Sequence, residues 1–264
     1  MKKLASRIFA VLLAASAATG CVGPQVEPDS ETVSNANNIY LVPMEPPPLQ
    51  IDASYAATGP ASIVHFLPRY TVGMARTVGV LSGVVVLLEL SAASHRQLEY
   101  PTLAQPAETW LPSVEFTHEA ARLLTATGKT PSISSEIQPI PGVKERGRTV
   151  LMENWMAPIR SWYNDESPSK RYAALAVKNV DAVAEVGISN YEIHAGRLLL
   201  QVHVKLIDPE SGKLLGRARA SSFTELPPMD ELFAADAKQF KESVSRAGNK
   251  LLMTCLQEIG MVSK

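Results

Sequence analysis

Arg197-Leu198-Leu199-Leu200-Gln201-Val202-His203-Val204-Lys205-Leu206-Ile207, followed by Asp208-Pro209-Glu210-Ser211-Gly212, is the stretch that decides the fold. Leu198, Leu200, Val202, Val204 and Leu206 share one face of an extended chain, and Gln201, His203 and Lys205 share the other. A period of two is what a strand with one buried and one wetter face requires. His203 therefore reads as an exposed strand residue. Upstream, Ala182 to Ile193 is a second extended run, joined to the first by the turn His194-Ala195-Gly196. Downstream, the Asp208 to Gly212 turn leads into a third strand, Lys213 to Ser221. Links this short cannot make parallel crossovers, so the three strands are expected to form an antiparallel meander.

The meander needs a cover. From about Asp230 to Ile259, Phe233, Ala237, Phe240, Val244, Ala247, Leu251, Cys255 and Ile259 recur every three or four residues, the stripe of a long amphipathic helix. Asp230 and Glu231 suit its positive end, and Gly260 can end it. Ser167-Pro168 reads as a cap and first turn of a short helix reaching Asn179. Leu151, Trp155, Ile159 and Trp162 have helical spacing, with Pro158 expected to kink or restart that helix. Ser113 can cap a helix through Thr127 that buries Phe116, Ala120, Leu123 and Leu124 and stops at Gly128. Ser132 to Ile140 and Ile39 to Pro43 read as strands, the latter leaving through the stiff connector Met44-Glu45-Pro46-Pro47-Pro48. The fold class is α/β (α+β), an antiparallel or mixed sheet packed by helices.

Ala182-Val183-Ala184-Glu185-Val186-Gly187-Ile188, the alternating strand, Leu206 to Leu215 and the final helix together resemble the C-terminal half of certain envelope lipoproteins. Those lipoproteins carry a domain like the N-terminal domain of TolB or the periplasmic domain of curli-secretion lipoproteins. The resemblance spans residues 170 to 262. It implies an assembly or interaction role rather than catalysis.

The N-terminus adds an address. Lys2, Lys3 and Arg7 precede an apolar run from Ile8 to Ala15 and small residues up to Gly20, the order of an export signal over residues 1–20. The run is shorter than the roughly 20 residues a membrane span needs. Ala18-Thr19-Gly20-Cys21 resembles the lipobox of bacterial lipoproteins, although Ala18 stands where that family usually has Leu. The resemblance implies a lipid on Cys21 and, because Val22 rather than Asp follows, the periplasmic face of the outer membrane. Residues 21–38 then read as a lipidated flexible tether that would hold the domain about 20–25 Å from the lipid on average. Residues 39–264 are expected to form a single periplasmic domain with a helical insertion around 70–128.

Val72 to Leu90 is the most apolar stretch after the leader, uncharged from Thr77 to Leu88. Arg76 and Glu89 bracket too few residues for a membrane helix. A helix continuing towards His95 would put Gly79 and Gly83 on one face, where missing side chains let a neighbour approach. That face would serve core packing, self-association or membrane contact. Val84-Val85-Val86 keeps a strand pair open.

Charge and motifs exclude several functions. The chain carries a net charge of −1, which falls to −4 without the three basic leader residues, and no basic cluster points to nucleic acid. With Cys21 acylated, Cys255 is left without a disulfide partner, and its helical spacing reads as packing rather than as a redox thiol. His118-Glu119-Ala120-Ala121-Arg122 starts like a zinc-protease helix but has Arg122 where the second His belongs. His65, His95, His194 and His203 are scattered, so no metal or cofactor is expected. Ser82 in Gly79-Val80-Leu81-Ser82-Gly83 sits one place late for a nucleophile elbow. Trp155, Trp162, Tyr163 and Tyr172, with Arg160 and Arg171 nearby, form a candidate partner- or sugar-binding patch unless the core takes the tryptophans. The expected role is non-enzymatic: a lipid-anchored protein that binds an envelope protein or its own copies. The alternative is a carrier holding lipid or glycan in an apolar groove.

Overall fold

The computed structural model describes residues 30–52, 70–73, 78–81, 84–87, 110–144 and 153–263. The first described helix is α1 (Ser30–Asn35), ahead of strand β1 (Asn38–Pro43). Val33 and Ala36 are fully buried. Residues 30–38, expected to finish the tether, therefore belong to the fold. Lys129 Nζ donates to the carbonyl of Ala36 at 2.5 Å, and the Asp181 carboxylate accepts from the backbone N–H groups of Asn37 and Asn38 at 2.8 Å each. Two apolar residues one turn apart are too short a signal to stand out in a polar run.

The remaining strands are β2 (Leu49–Asp52), β3 (Tyr70–Gly73), β4 (Val78–Leu81), β5 (Val84–Leu87), β6 (Thr130–Ile133), β7 (Ala182–His194), β8 (Arg197–Ile207) and β9 (Leu214–Glu225). All but β4 and β5 join one seven-stranded mixed sheet. The expected meander is present: β7 pairs antiparallel with β8, and β8 with β9. Ala195 and Gly196, both at positive φ, make the tight turn between β7 and β8. Along its other edge β7 takes β1 and then β2, both parallel, while β6 flanks β1 and β3 flanks β2. Met44 N–H still donates to Val186 O at 2.8 Å, but Glu45 N–H turns to Gln138 O at 2.7 Å. Pro46, Pro47 and Pro48 have no N–H to offer, so pairing to β7 lapses there and resumes with Gln50 opposite Glu192.

The expected glycine-bearing helix over 72–90 is not formed. Gly79 lies in β4, opposite Val86 of β5, in a separate antiparallel pair. Branched valines favour the pleated chain over a helix, and this outweighs the glycine spacing. Gly83, expected on the same helix face, lies outside the described residues, as do His65, His95 and Cys21.

Helices cover both sheet faces. On one lie α2 (Pro112–Ala126) and, after α3 (Glu153–Asn164), α4 (Ala173–Ala176) and the single turn α5 (Met229–Leu232), the long α6 (Ala234–Glu258). Phe233 interrupts the one long helix expected from Asp230. The stripe Phe240, Val244, Ala247, Leu251, Cys255 and Ile259 packs on Leu198, Leu200, Val202, Val204 and Leu206 as expected. Helix α2 has Leu111 at its N-cap position and Pro112 in its first turn, so Ser113 sits inside the helix and does not cap it. Ser169, not Ser167, caps the 3-10 turn Lys170–Tyr172, its Oγ accepting from Arg171 N–H at 3.3 Å. The strand expected over 132–140 is short: it ends at Ile133, and the chain beyond hydrogen-bonds back to β1 through Ser134 N–H to Leu41 O and Gln138 N–H to Pro43 O. The other sheet face is covered by α3, which runs through Pro158. No helix among the described residues is long and apolar enough to cross a membrane.

Candidate functional site

Beneath α3 three polar residues form a row across the sheet. Glu185 on β7 stands opposite Lys205 on β8, which stands opposite Arg217 on β9. All three are buried, and so is His203, two residues before Lys205 on the same face of β8. Taking charges out of water costs several kcal/mol each unless they are paired and hydrogen-bonded, and α3 together with the segment that follows it to Tyr172 supplies the partners. Trp162 Nε1–H and Tyr172 O–H each donate to Glu185 at 2.7 Å, one to each carboxylate oxygen, and Arg171 Nη1 lies 3.6 Å away. Lys205 Nζ donates to the carbonyls of Trp162 at 2.7 Å and Asp165 at 3.0 Å and lies 5.8 Å from the Trp162 ring centroid. Burial lowers its pKa, with Glu185 and Asp165 opposing that shift. Arg217 donates to Tyr163 O at 3.2 Å and Glu166 at 2.8 Å.

Gly187 makes room for this arrangement. A Cβ there would lie 2.6 Å from the Trp162 indole, so only a bare backbone lets the ring reach Glu185. The row opens into a cavity of about 70 Å³ edged by Lys205, Arg171, Glu185, Asp165, Ser167 and Ser169. Drug-sized ligands occupy pockets of roughly 300–1,000 Å³. The cavity has room for a few water-sized groups, not for a lipid or a glycan.

His203, expected to be exposed, is 3% exposed, because α3 turns the wetter face of β8 into a second interior. Its Nε2 meets Ser189 Oγ at 2.6 Å, and Ser189 donates onward to Gln201 Oε1 at 2.5 Å. That chain makes Nε2 the protonated nitrogen and leaves Nδ1 a buried acceptor with no partner among the described residues. Burial, and then the positive charge of Arg219, push the His203 pKa down to about 3 from 6.5. Between those values the unfolded chain binds the proton that the fold refuses. Stability is therefore complete above the unfolded pKa and falls as pH drops through the window, by on the order of 1 kcal/mol per pH unit. Urea midpoints at pH 7 and 4.5 should drop further for the wild type than for His203→Gln; equal drops would remove this account.

The aromatic patch is corrected in the same way. Trp155, Trp162, Tyr163 and Tyr172 are 1–8% exposed. They are brought together, but as the core between α3 and the sheet. Arg160, expected beside these rings, is exposed on α3. Cys255 is packing as read: burial raises its thiol to about 12. His118 is exposed, and no group of three metal-ligating side chains occurs among the described residues.

Sequence reasoning missed the surface. Arg219, Ser221, Phe223 and Glu225 are all exposed on one face of β9, beyond the reach of α3, with Phe223 71% exposed. Among the described strands β9 pairs only with β8, so no described strand covers its outer edge. The sequence signal was the alternation Arg219-Ser221-Phe223-Glu225, an aromatic among polar residues at strand period.

No family model matches the chain, and no curated protein matches it. Solved structures to which it is similar include the PelC dodecamer from Paraburkholderia phytofirmans, at 10% identity and TM-score 0.39 over 91% of this chain and 97% of that one. The lipoprotein GNA1162 from Neisseria meningitidis is 12% identical, TM-score 0.31, over 72% and 83%. Protein XCC0632 from Xanthomonas campestris, of family DUF330, is 11% identical, TM-score 0.35, over 90% and 93%. At these scores no activity or partner follows from the likeness.

Proposed function

We propose that the chain is a lipid-anchored envelope protein whose domain binds other protein surfaces and does not turn over a substrate. The observation that carries this reading is the pairing of an internally satisfied polar row with an aromatic-bearing strand edge that no described strand covers. Both Glu185 oxygens accept hydrogen bonds from core side chains, and Lys205 is committed to two backbone carbonyls. General acid-base work needs a group that can reach a substrate and exchange its proton, whereas these groups fix α3 to the sheet. Free strand edges with exposed aromatics are where partners add strands. The lipobox-like Ala18 to Cys21 supplies the anchor, and Val22 favours the periplasmic face of the outer membrane.

A photo-crosslinking residue at position 223 of the full chain, in intact envelopes, tests this. Protein adducts are expected at 223 and not at the exposed Lys250 of α6. Absence of adducts at 223, or turnover of an ester or glycan by the purified chain, overturns the reading. Cys21→Ser should release the protein from the membrane fraction.

A further inference from the structure

Resting on that reading, we propose that the partner of β9 is a second copy of this chain, added antiparallel about a two-fold axis at Ser222. The outer half of β9, from Arg219 to Glu225, carries the exposed face, and its midpoint is Ser222. The inner half is closed: Leu215, Arg217 and Ala218 are buried, with Arg217 held by Tyr163 and Glu166.

An antiparallel pair centred on Ser222 sets Arg219 opposite Glu225 of the second copy, twice. Glu225 already meets Arg197 on β8 at 2.9 Å. Each end of the new ladder thus reads Arg197, Glu225, then Arg219 of the second copy, alternating in sign across three strands. Phe223 falls opposite Ser221 of the second copy and diagonal to its Phe223, about 7–8 Å away and within reach for aromatic rings. Moving the axis to Ser221 places Arg219 against Phe223, and moving it to Phe223 places Ser221 against Glu225. Only the axis at Ser222 gives Arg219 and Glu225 opposite charges to face, and like charges directly opposite are unfavourable.

The test is sedimentation of the full chain, extracted with its lipid in detergent, over a concentration series. The wild type is expected to dimerise. Arg219→Glu sets two acids opposite each other and Glu225→Arg two cations, so each variant alone should dimerise at least about tenfold more weakly. An equimolar mixture of the two variants restores opposite charges in both rows and should recover a mixed dimer. A mixture no better than its components overturns the register. A wild type monomeric throughout the series, with position 223 crosslinking to a different protein, overturns the second copy while leaving the binding function standing.

Discussion

Gly248→Ala is expected to destabilise the fold by about 2–3 kcal/mol, although alanine is the better helix former by about 1 kcal/mol. Gly248 lies in α6 where α2 crosses it, and a Cβ at that position would stand 2.0 Å from Cζ of Phe116. Phe116 is fully buried among sheet and helix side chains and has nowhere to turn. The overlap must be relieved by parting two helices, which strips contacts along both. The sign should reverse once the ring is shortened: in a Phe116→Leu background, Gly248→Ala becomes neutral or stabilising. Urea unfolding of the four proteins measures this, and strictly additive losses would mean that the two residues do not meet as described.

Glu185→Ala should cost about 3–5 kcal/mol, the range for breaking a buried charge pair from one side. It strands Trp162 Nε1–H and Tyr172 O–H, and it leaves the buried Lys205 without its opposing charge. Tyr172→Phe removes one donor only and should cost about 1–1.5 kcal/mol. Replacing the pair together, Glu185→Leu with Lys205→Met, should lie closer to the wild type than Glu185→Ala, because neither charge is then left alone. A double variant less stable than Glu185→Ala would show that the row contributes through its hydrogen bonds to α3 rather than through charge balance.

The β7–β8–β9 meander and the buried stripe of α6 were legible because period, turn residues and link length agreed over forty-odd residues on one topology. What the sequence withheld was the second interior. His203 and Lys205 alternate with apolar residues as a wetted face would, and nothing local distinguishes water from a covering helix. The clue lay elsewhere, in the apolar stripe of Trp155, Ile159 and Trp162, a helix face that needs a sheet to lie on. The same blindness turned core aromatics into a candidate patch. Over 72–90, glycines four apart and an uncharged run fit helix and strand alike, and only the valine content separated them. The β9 edge was hidden for the opposite reason: exposure of an unpaired strand depends on which strand comes last in the sheet, a fact of topology.

Helix α1 has a geometric consequence for the proposed anchor. Val33 and Ala36 pack into the layer that holds α2 and α6, so with a lipid on Cys21, as proposed, the membrane would lie within reach of that side, because the eight residues 22–29 cover at most about 30 Å at full stretch. Two copies joined about the proposed dyad at Ser222 run antiparallel, which puts their α1 helices at opposite ends of the joined sheet. For both lipids to enter one bilayer, the dyad has to stand along the membrane normal. In that arrangement the sheet would lie flat over the lipid with α2 and α6 beneath it, and α3 with the polar row under it would face away from the membrane.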